Sequence, residues 1–461
     1  MIEVVEDLIG SVQDTGTLNG GLVEQDSLVS NLDSVGNVIR EQDVNFYDYN
    51  GDLLYSYKRN DFLALNEMPS PVAHDKLVSQ GWNWDLADAK AYVERNGCLD
   101  IGEIYDVDNK GVIMGVSLKY QDDVNVTVQA EPVYEFDDDK IHEIYVDWGD
   151  GSPIEIITPE SAITIEHEYS NIGEYEIKAY PSEDTFIYVN FKVTSNLKYI
   201  HIGSLFYSDR FYTSFNNLYF LEYVTFPNYS LANLQYNAFE NCRSLKQFIA
   251  SKGFESIPDM YSMCLIRLIL SNTIIQLSAS PAPFSRICVP TSCRNCSLYN
   301  EHRTDLYFPN NMSEFYLSSS GYTKGIKCPT IVSSNFELHL YQSFNDYLIL
   351  PETAIVIEPE EGEEEPMIPV TLYDSYIGKT LHIPSWVTNI GKILYLYDNN
   401  LNKIYFTEHT QVPILENRSN LTINSNCYII VPDALYNEWC TATNWTYFAN
   451  RNRIKKASEM S

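Results

Sequence analysis

The chain has 461 residues, too many for a single hydrophobic core, which predicts roughly two to four domains. Its 63 acidic residues outnumber 30 basic ones and give a formal net charge of -33, which repels nucleic-acid phosphates and anionic lipid headgroups. We therefore expect no nucleic-acid partner. The partners we expect are cationic, neutral or carbohydrate in nature, or other copies of the chain.

The composition is that of a folded protein from a reducing compartment. Apolar residues make up 44% of the chain, and 35 tyrosines favour β-strands and offer partners rigid amphipathic rings. Nine scattered cysteines, an odd number, argue against a disulfide scaffold. The first residues lack the charge and apolar run of a signal peptide, and no apolar run reaches the roughly eighteen residues of a membrane span. We expect a cytoplasmic chain without membrane insertion.

Residues 1–43 carry small apolar clusters between Gly, Ser, Asn and Asp, at spacings that match neither a helix nor a long strand. Such a segment cannot cover its own apolar side. We therefore predict an N-terminal anchoring and oligomerisation arm that orders against a partner or sibling chains, with a mobile terminus as the alternative. A homo-oligomer is expected on this basis.

Residues 44–112 predict a small α/β module that begins with a hairpin. The alternating runs Val44–Tyr49 and Asp52–Tyr57 flank Asn50 and Gly51. Because Asn-Gly accepts the positive φ angles of a type I′ turn, the two runs should pair as antiparallel strands.

A helix follows in the same module. Asp85 stands where an N-cap is expected, residues 86–95 place apolar side chains on one face, and Gly97 should end the helix. Trp82 and Trp84 lie just before it. We interpret both tryptophans as core anchors, with a sugar-binding platform as the alternative.

Residues 113–195 contain the most specific local motif. Residues 144–153 read Ile-Tyr-Val-Asp-Trp-Gly-Asp-Gly-Ser-Pro, residues 167–169 read His-Glu-Tyr, and residues 173–177 read Gly-Glu-Tyr-Glu-Ile. This order resembles the PKD-type immunoglobulin-like domain. The resemblance implies a two-sheet sandwich that serves as a spacer or adhesion module, with no catalytic residues to carry over.

Two pairs of side chains in this motif have predicted roles. Trp148 and Tyr169 are candidates to fill the core between the sheets, while Asp147 and Asp150 should accept hydrogen bonds from turn amides. A calcium site is the alternative for the two aspartates. One short turn, however, offers fewer oxygens than the roughly six to eight that calcium prefers.

Residues 196–432 show apolar runs that return roughly every twenty residues, the signature of a solenoid whose units bury their apolar faces only when stacked. The stretch Leu221–Ile257 resembles the BspA-like leucine-rich repeat, since an apolar strand is followed by Asn-Ala-Phe and then by Cys-Arg-Ser-Leu. Residues 433–461 resemble the helical cap of such arrays, which covers the last open sheet edge.

Residues 357–366 form an acidic loop. We interpret this loop as a solvated tip, with cation capture or contact with a basic partner as the alternative.

Cysteines supply the sharpest chemical candidate. Cys288, Cys293 and Cys296 show the C-x4-C-x2-C spacing of plant-type ferredoxins, and with Cys328 or His302 they suggest an iron–sulfur or zinc site. Small buried thiols that fill a solenoid core are the interpretation we favour. We predict no catalytic, cofactor-binding or metal-binding residues, since no hydrolase or phosphate-binding motif is present.

The predicted fold is mainly β and multidomain: an arm, a small α/β module, an immunoglobulin-like sandwich and a capped leucine-rich-repeat solenoid. This arrangement resembles the fibre and decoration proteins of tailed phages that infect gut bacteria. It implies a non-enzymatic virion protein of head or tail, assembled in the host cytoplasm. Such a protein would dock on capsid or tail proteins through residues 1–112 and display its solenoid to a host-surface glycan or protein. A bacterial surface adhesin and a glycan depolymerase, which needs two carboxylates about 5 to 10 Å apart, are the alternatives.

Overall fold

The computed structural model shows a mainly β protein with 44% strand and 11% helix, as predicted. No helix in the described part of the chain is long and apolar enough to cross a bilayer. The predicted arm, residues 1–43, and the acidic loop, residues 357–366, lie outside the described residues. The structure describes residues 44–119, 125–132, 143–158, 163–181, 187–190, 196–205, 215, 217–228, 239–257, 267–279, 286–300, 304–323, 325–331, 336–342, 344–345, 348–354, 368–377 and 379–460.

Contacts divide the described residues into two compact units. One is taken from Met1–Glu255 with Ser262–Thr273, and the other from Ser256–Tyr261 with Ile274–Ser461. The division falls inside the predicted solenoid. The domain boundaries predicted at residues 112 and 195 stay predictions.

The module at the start of the first unit is a four-stranded sheet with two helices. The sheet has the order β2-β1-β4-β3, in which β1 and β4 are parallel and the other neighbours are antiparallel. Its elements are β1 (Val44–Tyr47), β2 (Leu53–Tyr57), α1 (Arg59–Leu63), β3 (Leu77–Trp82), α2 (Leu86–Asn96) and β4 (Leu99–Val107).

The first two strands form the predicted hairpin, but the predicted type I′ turn is wrong. Gly51 has a φ angle of 98°, whereas Asn50 does not adopt a positive φ. The amide of Gly51 donates to the Asp48 carbonyl, and the amide of Asp48 donates to the Asp52 carbonyl. The turn is therefore longer than two residues, and glycine alone supplies its left-handed position.

Helix α2 ends as predicted, because Gly97 has a φ angle of 80° and its amide donates to the Val93 carbonyl. Asp85 occupies the N-cap position, yet its side chain accepts no capping hydrogen bond. Its carboxylate lies 2.7 Å from Lys252 Nζ, and this hydrogen bond lowers the pKa of Asp85. The predicted capping role was wrong, since a cation distant in sequence binds the carboxylate instead.

Buried hydrogen bonds join the module to coil strands of the same unit. Trp84 Nε1 donates to the Leu270 carbonyl at 2.7 Å, and Asn83 Nδ2 donates to the Ala250 carbonyl at 3.2 Å. Trp82 and Trp84 are both buried, which confirms the core interpretation over the sugar platform. Residues 44–107 therefore depend on these coil strands for part of their core.

Two further sheets complete most of the first unit. One sheet has the order β13-β12-β5-β10-β7-β8 and the other the order β11-β6-β9. Strand β12 pairs with β5 antiparallel and with β13 parallel, so the first solenoid strands continue a sheet of the preceding region. The strands are β5 (Val112–Leu118), β6 (Asn125–Pro132), β7 (Ile144–Asp147), β8 (Glu155–Ile157), β9 (Ile163–Glu168), β10 (Gly173–Pro181), β11 (Ile187–Asn190), β12 (Leu197–Ile202) and β13 (Tyr223–Thr225).

The turn after β7 has the predicted contacts. Trp148 and Tyr169 are buried, and the Tyr169 hydroxyl donates to the Trp148 carbonyl at 2.9 Å. Asp147 Oδ1 accepts from the Gly149 amide, and Asp150 Oδ1 accepts from the Ser152 amide, each at 2.9 Å. These carboxylates stabilise the turn.

The solenoid makes about eight turns over residues 199–456. Its strands pair in parallel, and the largest sheet has the order β15-β17-β19-β22-β26-β29-β33-β32-β35 with β36 beside β33. The remaining strands are β14 (Gln247–Ile249), β15 (Ser256–Ile257), β16 (Arg267–Ile269), β17 (Gln276–Ala279), β18 (Arg286–Cys288), β19 (Asn295–Asn300), β20 (Asp305–Tyr307), β21 (Asn311–Met312), β22 (Glu314–Ser319), β23 (Tyr322–Thr323), β24 (Ile326–Lys327), β25 (Thr330–Ile331), β26 (Phe336–Tyr341), β27 (Phe344–Asn345), β28 (Leu348–Ile349), β29 (Val370–Tyr373), β30 (Tyr376–Ile377), β31 (Thr380–His382), β32 (Asn389–Ile390), β33 (Leu394–Asp398), β34 (Lys403–Tyr405), β35 (Ile414–Leu415), β36 (Leu421–Ile423), β37 (Tyr428–Val431) and β38 (Ile454–Lys456).

The solenoid does not end at residue 432 as predicted. Strand β38 pairs in parallel with β37, with Ile454 opposite Ile429. Two short helices, α3 (Tyr436–Thr441) and α4 (Thr446–Ala449), lie within this last turn and bury Trp439 and Phe448. The prediction failed because a three-residue strand after two helices carries no alternation of its own.

A cluster of aromatic and histidine rings lies in the first unit between the module and the first solenoid strands. The rings of Tyr199 and Tyr223 stack with centroids 5.1 Å apart, and the Tyr49 ring meets His201 edge-on at 5.0 Å. His201 Nδ1 lies 3.0 Å from Thr225 Oγ1. Burial lowers the pKa of His201 to about 4, so its imidazole is neutral at pH 7.

Replacing Trp84 with phenylalanine removes the donor to the buried Leu270 carbonyl. We expect Trp84→Phe to lower the free energy of unfolding by about 1 to 3 kcal/mol, because the carbonyl is left without that partner. Urea unfolding followed by circular dichroism measures the change. Val78→Ala, at an exposed β3 position, is the control and should stay within about 0.5 kcal/mol of the wild type. Equal midpoints for wild type and Trp84→Phe would contradict the role of this hydrogen bond.

Acid should destabilise the first unit through His201. The unfolded imidazole has a pKa near 6.5 and the folded one a pKa of about 4. The contribution of His201 to the free energy of unfolding is therefore fully present above pH 6.5 and is lost as the pH drops towards 4. The full loss amounts to about 3 kcal/mol. Melting temperatures between pH 7 and 4.5 should fall less steeply for His201→Asn than for the wild type. Parallel curves for the two proteins would contradict this assignment.

Candidate functional site

The outward side of the largest parallel sheet carries an unusual set of side chains. On β17, β19, β22, β26, β29 and β33, inward apolar residues alternate with outward ones, and we call these outward side chains the outer face. It holds tyrosine, hydroxyl, amide and carboxylate groups, and none of these six strands contains a lysine or arginine. The outer face consists of Gln276, Ser278, Asn295, Ser297, Tyr299, Glu314, Tyr316, Ser318, Glu337, His339, Tyr341, Thr371, Tyr373, Tyr395 and Tyr397.

Parallel register aligns the tyrosines of the outer face across strands. Tyr341 pairs with Tyr373, which pairs with Tyr397. The rings of Tyr373 and Tyr397 stack with centroids 4.8 Å apart and planes inclined by 13°. The rings of Tyr299 and Tyr316 also pack across neighbouring strands, with centroids 5.1 Å apart. Because these rings hold each other, the outer face presents a rigid aromatic surface at little entropic cost to a ligand.

A cavity of about 440 Å³ lies over the β17, β19, β22 and β26 end of this face. Two rows of polar side chains cross it from strand to strand. One row is formed by Gln276, Asn295 and Glu314, and the other by Ser278, Ser297, Tyr316 and Glu337.

The two carboxylates of the cavity lie on neighbouring strands. Glu337 is directly opposite Tyr316, two residues along the strand from Glu314. Strands lie about 4.8 Å apart and two residues span about 6.6 Å along a strand, so the backbones of the two residues are roughly 8 Å apart. Side chains of this length can direct both carboxylates towards a single ligand and can reach the separation of about 5 to 10 Å used for glycoside hydrolysis.

His339 is a buried polar residue beside the same cavity. Its Nε2 lies 3.6 Å from Glu337 Oε2, and its ring centroid is 5.8 Å from that of Tyr316. Neither ring nitrogen has a hydrogen-bond partner within the described ranges. Burial lowers the pKa of His339, which keeps the imidazole neutral at pH 7.

The cysteines of the motif lie in the solenoid core, where the side chains of Cys293 and Cys296 contact each other. Cys288, Cys293, Cys296 and Cys328 are all buried, and burial raises the pKa of Cys296 and of Cys328. A raised pKa disfavours the thiolate form that binds metals. Of the residues that the structure describes, no three His, Cys, Asp or Glu side chains form a group suited to a metal ion, and His302 lies outside them.

Sequence reasoning named no residues of the outer face as a site. The local signals were present as Glu-x-Tyr at residues 314–316 and Glu-x-His at residues 337–339. Each pattern alone is ordinary strand alternation. Only the pairing register of β22 with β26 brings them together.

No protein-family model, curated protein or solved structure matches the chain. The resemblances to PKD-type domains, leucine-rich repeats and phage fibres therefore stay predictions. A functional conclusion for this chain therefore rests on the chemistry of the outer-face side chains.

If the cysteines fill the core, their thiols should be inaccessible in the folded protein. We expect Cys296 and Cys328 to react with Ellman's reagent at least about a hundred-fold more slowly in buffer than in urea, because reaction requires local opening. Cys440 is only partly buried and serves as the internal control. Rapid reaction of Cys296 in buffer, or a melting temperature lowered by a zinc chelator, would contradict the core-filling role.

Proposed function

We propose that the protein is a non-enzymatic virion subunit, a head or tail fibre or a decoration protein of a tailed phage. In this proposal residues 1–112 dock on capsid or tail proteins, and the outer face contacts a glycan or protein on the host surface. The protein oligomerises through its arm and is assembled in the host cytoplasm. The observation that carries the proposal is the outer face, which offers a rigid array of tyrosine, hydroxyl and carboxylate groups.

The chemistry of the outer face suits recognition of carbohydrate. Aromatic rings pack against the apolar faces of sugar rings, while hydroxyl, amide and carboxylate groups exchange hydrogen bonds with sugar hydroxyls. Tyr299 and Tyr341 are 45% and 40% exposed, so ring surface remains available to a ligand even though neighbouring rings pack together. A flat, repetitive ligand such as a polysaccharide matches such a face better than an isolated small molecule does.

The rest of the architecture supports a spacer and display role. The two sheets formed by β5–β11 with β12 and β13 are consistent with an immunoglobulin-like sandwich built around Trp148 and Tyr169. Helices α3 and α4 are consistent with a cap, because they bury Trp439 and Phe448 in the last turn of the solenoid. A net charge of -33 would disfavour adventitious contact with nucleic acid inside the host cell.

A glycan depolymerase is the second candidate, and the placement of Glu314 and Glu337 favours it. Two carboxylates at this separation on a sugar-binding face are the minimum that hydrolysis requires. Hydrolysis would leave shortened chains after incubation with a host polysaccharide. Binding without any shortening would favour the non-enzymatic function.

Removing two outer-face rings should weaken adhesion. We expect the double variant Tyr373→Ala with Tyr397→Ala to bind host cells at least about tenfold more weakly, because aromatic packing of each ring contributes about 1 kcal/mol. Flow cytometry of the fluorescent full-length protein on a panel of gut bacterial isolates measures binding. Tyr428→Ala, an exposed tyrosine on β37 outside the outer face, is the matched control.

Antibody labelling of particles tests the location. Gold particles on phage heads or tails in electron micrographs would support the virion assignment. Label confined to the envelope of a bacterium would overturn it in favour of a surface adhesin. Unchanged cell binding by the double tyrosine variant would overturn the role of the outer face.

A further inference from the structure

The cavity on the outer face differs from the tyrosine array beside it in three respects. It is concave, polar side chains from four strands line it, and its lining residues within the described ranges include carboxylates but no lysine or arginine. Parallel strands lie about 4.8 Å apart. Because the residues of each polar row are paired across neighbouring strands, their side chains stand side by side at about that spacing. Several polar groups can therefore contact different hydroxyls of one sugar unit.

From these observations we propose that the cavity binds a sugar residue that bears no negative charge. The proposal rests on the proposed display function and deepens it by assigning the class of ligand. Glu314 and Glu337 accept hydrogen bonds from the sugar hydroxyls or from an amino group, Asn295 and Gln276 bind further hydroxyls, and the Tyr316 ring packs against the sugar face.

The negative charge of the two cavity carboxylates disfavours binding of an anionic sugar. Ionised carboxylates only accept hydrogen bonds, so a ligand carboxylate or sulfate would meet Glu314 and Glu337 without a donor between them. Among the described residues that line the cavity, there is no lysine or arginine that could offset this repulsion. A neutral hexose and an aminosugar share the hydroxyl donors that the two rows require, and the aminosugar adds an ammonium group.

His339 provides an independent reason to expect a ligand here. Its side chain is 2% exposed, and both ring nitrogens lack a hydrogen-bond partner within the part of the chain that the structure describes. Buried polar atoms without partners are rare in folded proteins and mark places where a ligand or an ordered water binds. Its Nε2 lies 3.6 Å from Glu337 Oε2 and its ring centroid is 5.8 Å from that of Tyr316, and these two contacts place the imidazole next to the cavity.

Binding of defined oligosaccharides to the full-length chain tests the assignment. The probes are cellotetraose as the neutral sugar, chitosan tetramer as the amine-bearing sugar and tetragalacturonic acid as the anionic sugar, each measured by isothermal titration calorimetry. We expect at least one of the first two probes to bind, and the anionic probe to bind at least about tenfold more weakly. Stronger binding of the amine-bearing probe would assign the ammonium group to the two carboxylates.

Variants locate the binding to the cavity. Glu314→Gln and Glu337→Gln should each weaken binding of the preferred probe at least about tenfold, whereas Glu438→Gln, an exposed carboxylate on α3, should leave it unchanged. Glu314 is solvent-exposed, so its variant is expected to fold even if Glu337→Gln does not.

Three results would overturn the assignment: no binding of any probe, preference for the anionic probe, or binding that both glutamine variants leave intact. If the protein still adheres to bacterial cells in these cases, the display function stands and only the sugar site fails. Release of shorter oligosaccharides would support the sugar site and overturn the non-enzymatic function.

Discussion

Parallel stacking of one buried column holds the solenoid of the second unit together. Leu298, Leu317, Leu338, Val370 and Leu394 follow one another across five strands, and each is fully buried. Because every side chain in the column packs on the strand before and the strand after it, no coil buries its apolar side alone. The same register that aligns the column also aligns the outward side chains. The tyrosine array and the cavity of the outer face are therefore consequences of the core, since a slip of one residue would exchange the two faces.

In the first unit, long-range hydrogen bonds add to the parallel pairing of the coil strands. The Trp84 indole and the Asn83 amide each donate to a coil carbonyl more than a hundred and fifty residues away. Strand β12 links the start of the solenoid to β5 of the preceding sheets. A module of about sixty residues buries a smaller fraction of its surface than a large domain does, so contacts with the coils supply part of the stability it lacks alone.

The proposed function depends on the polarity of the side chains at outward positions. Ordinary solvent-facing strand positions favour mixed charges, including lysine, whereas the outer face has tyrosine, hydroxyl and carboxylate groups without any cation. Stacked rings such as Tyr373 and Tyr397 are ordered before a ligand arrives, which reduces the entropy lost on binding. Two carboxylates line the cavity and the buried imidazole of His339 lies beside one of them, so the sugar site we propose here would add specificity that a tyrosine surface alone lacks.

Local features could be predicted from the sequence because they involve residues close together in the chain. The β-rich class, the hairpin, the end of α2 at Gly97 and the turn contacts of Asp147 and Asp150 all depend on alternation or on one turn of backbone. Contacts between distant segments could not be predicted. The Asp85 carboxylate binds Lys252 rather than its own helix, and β38 adds a final solenoid strand after two helices. Glu314 and Glu337 share a cavity only because β22 and β26 pair in one register, and that register is decided by how side chains of successive coils pack.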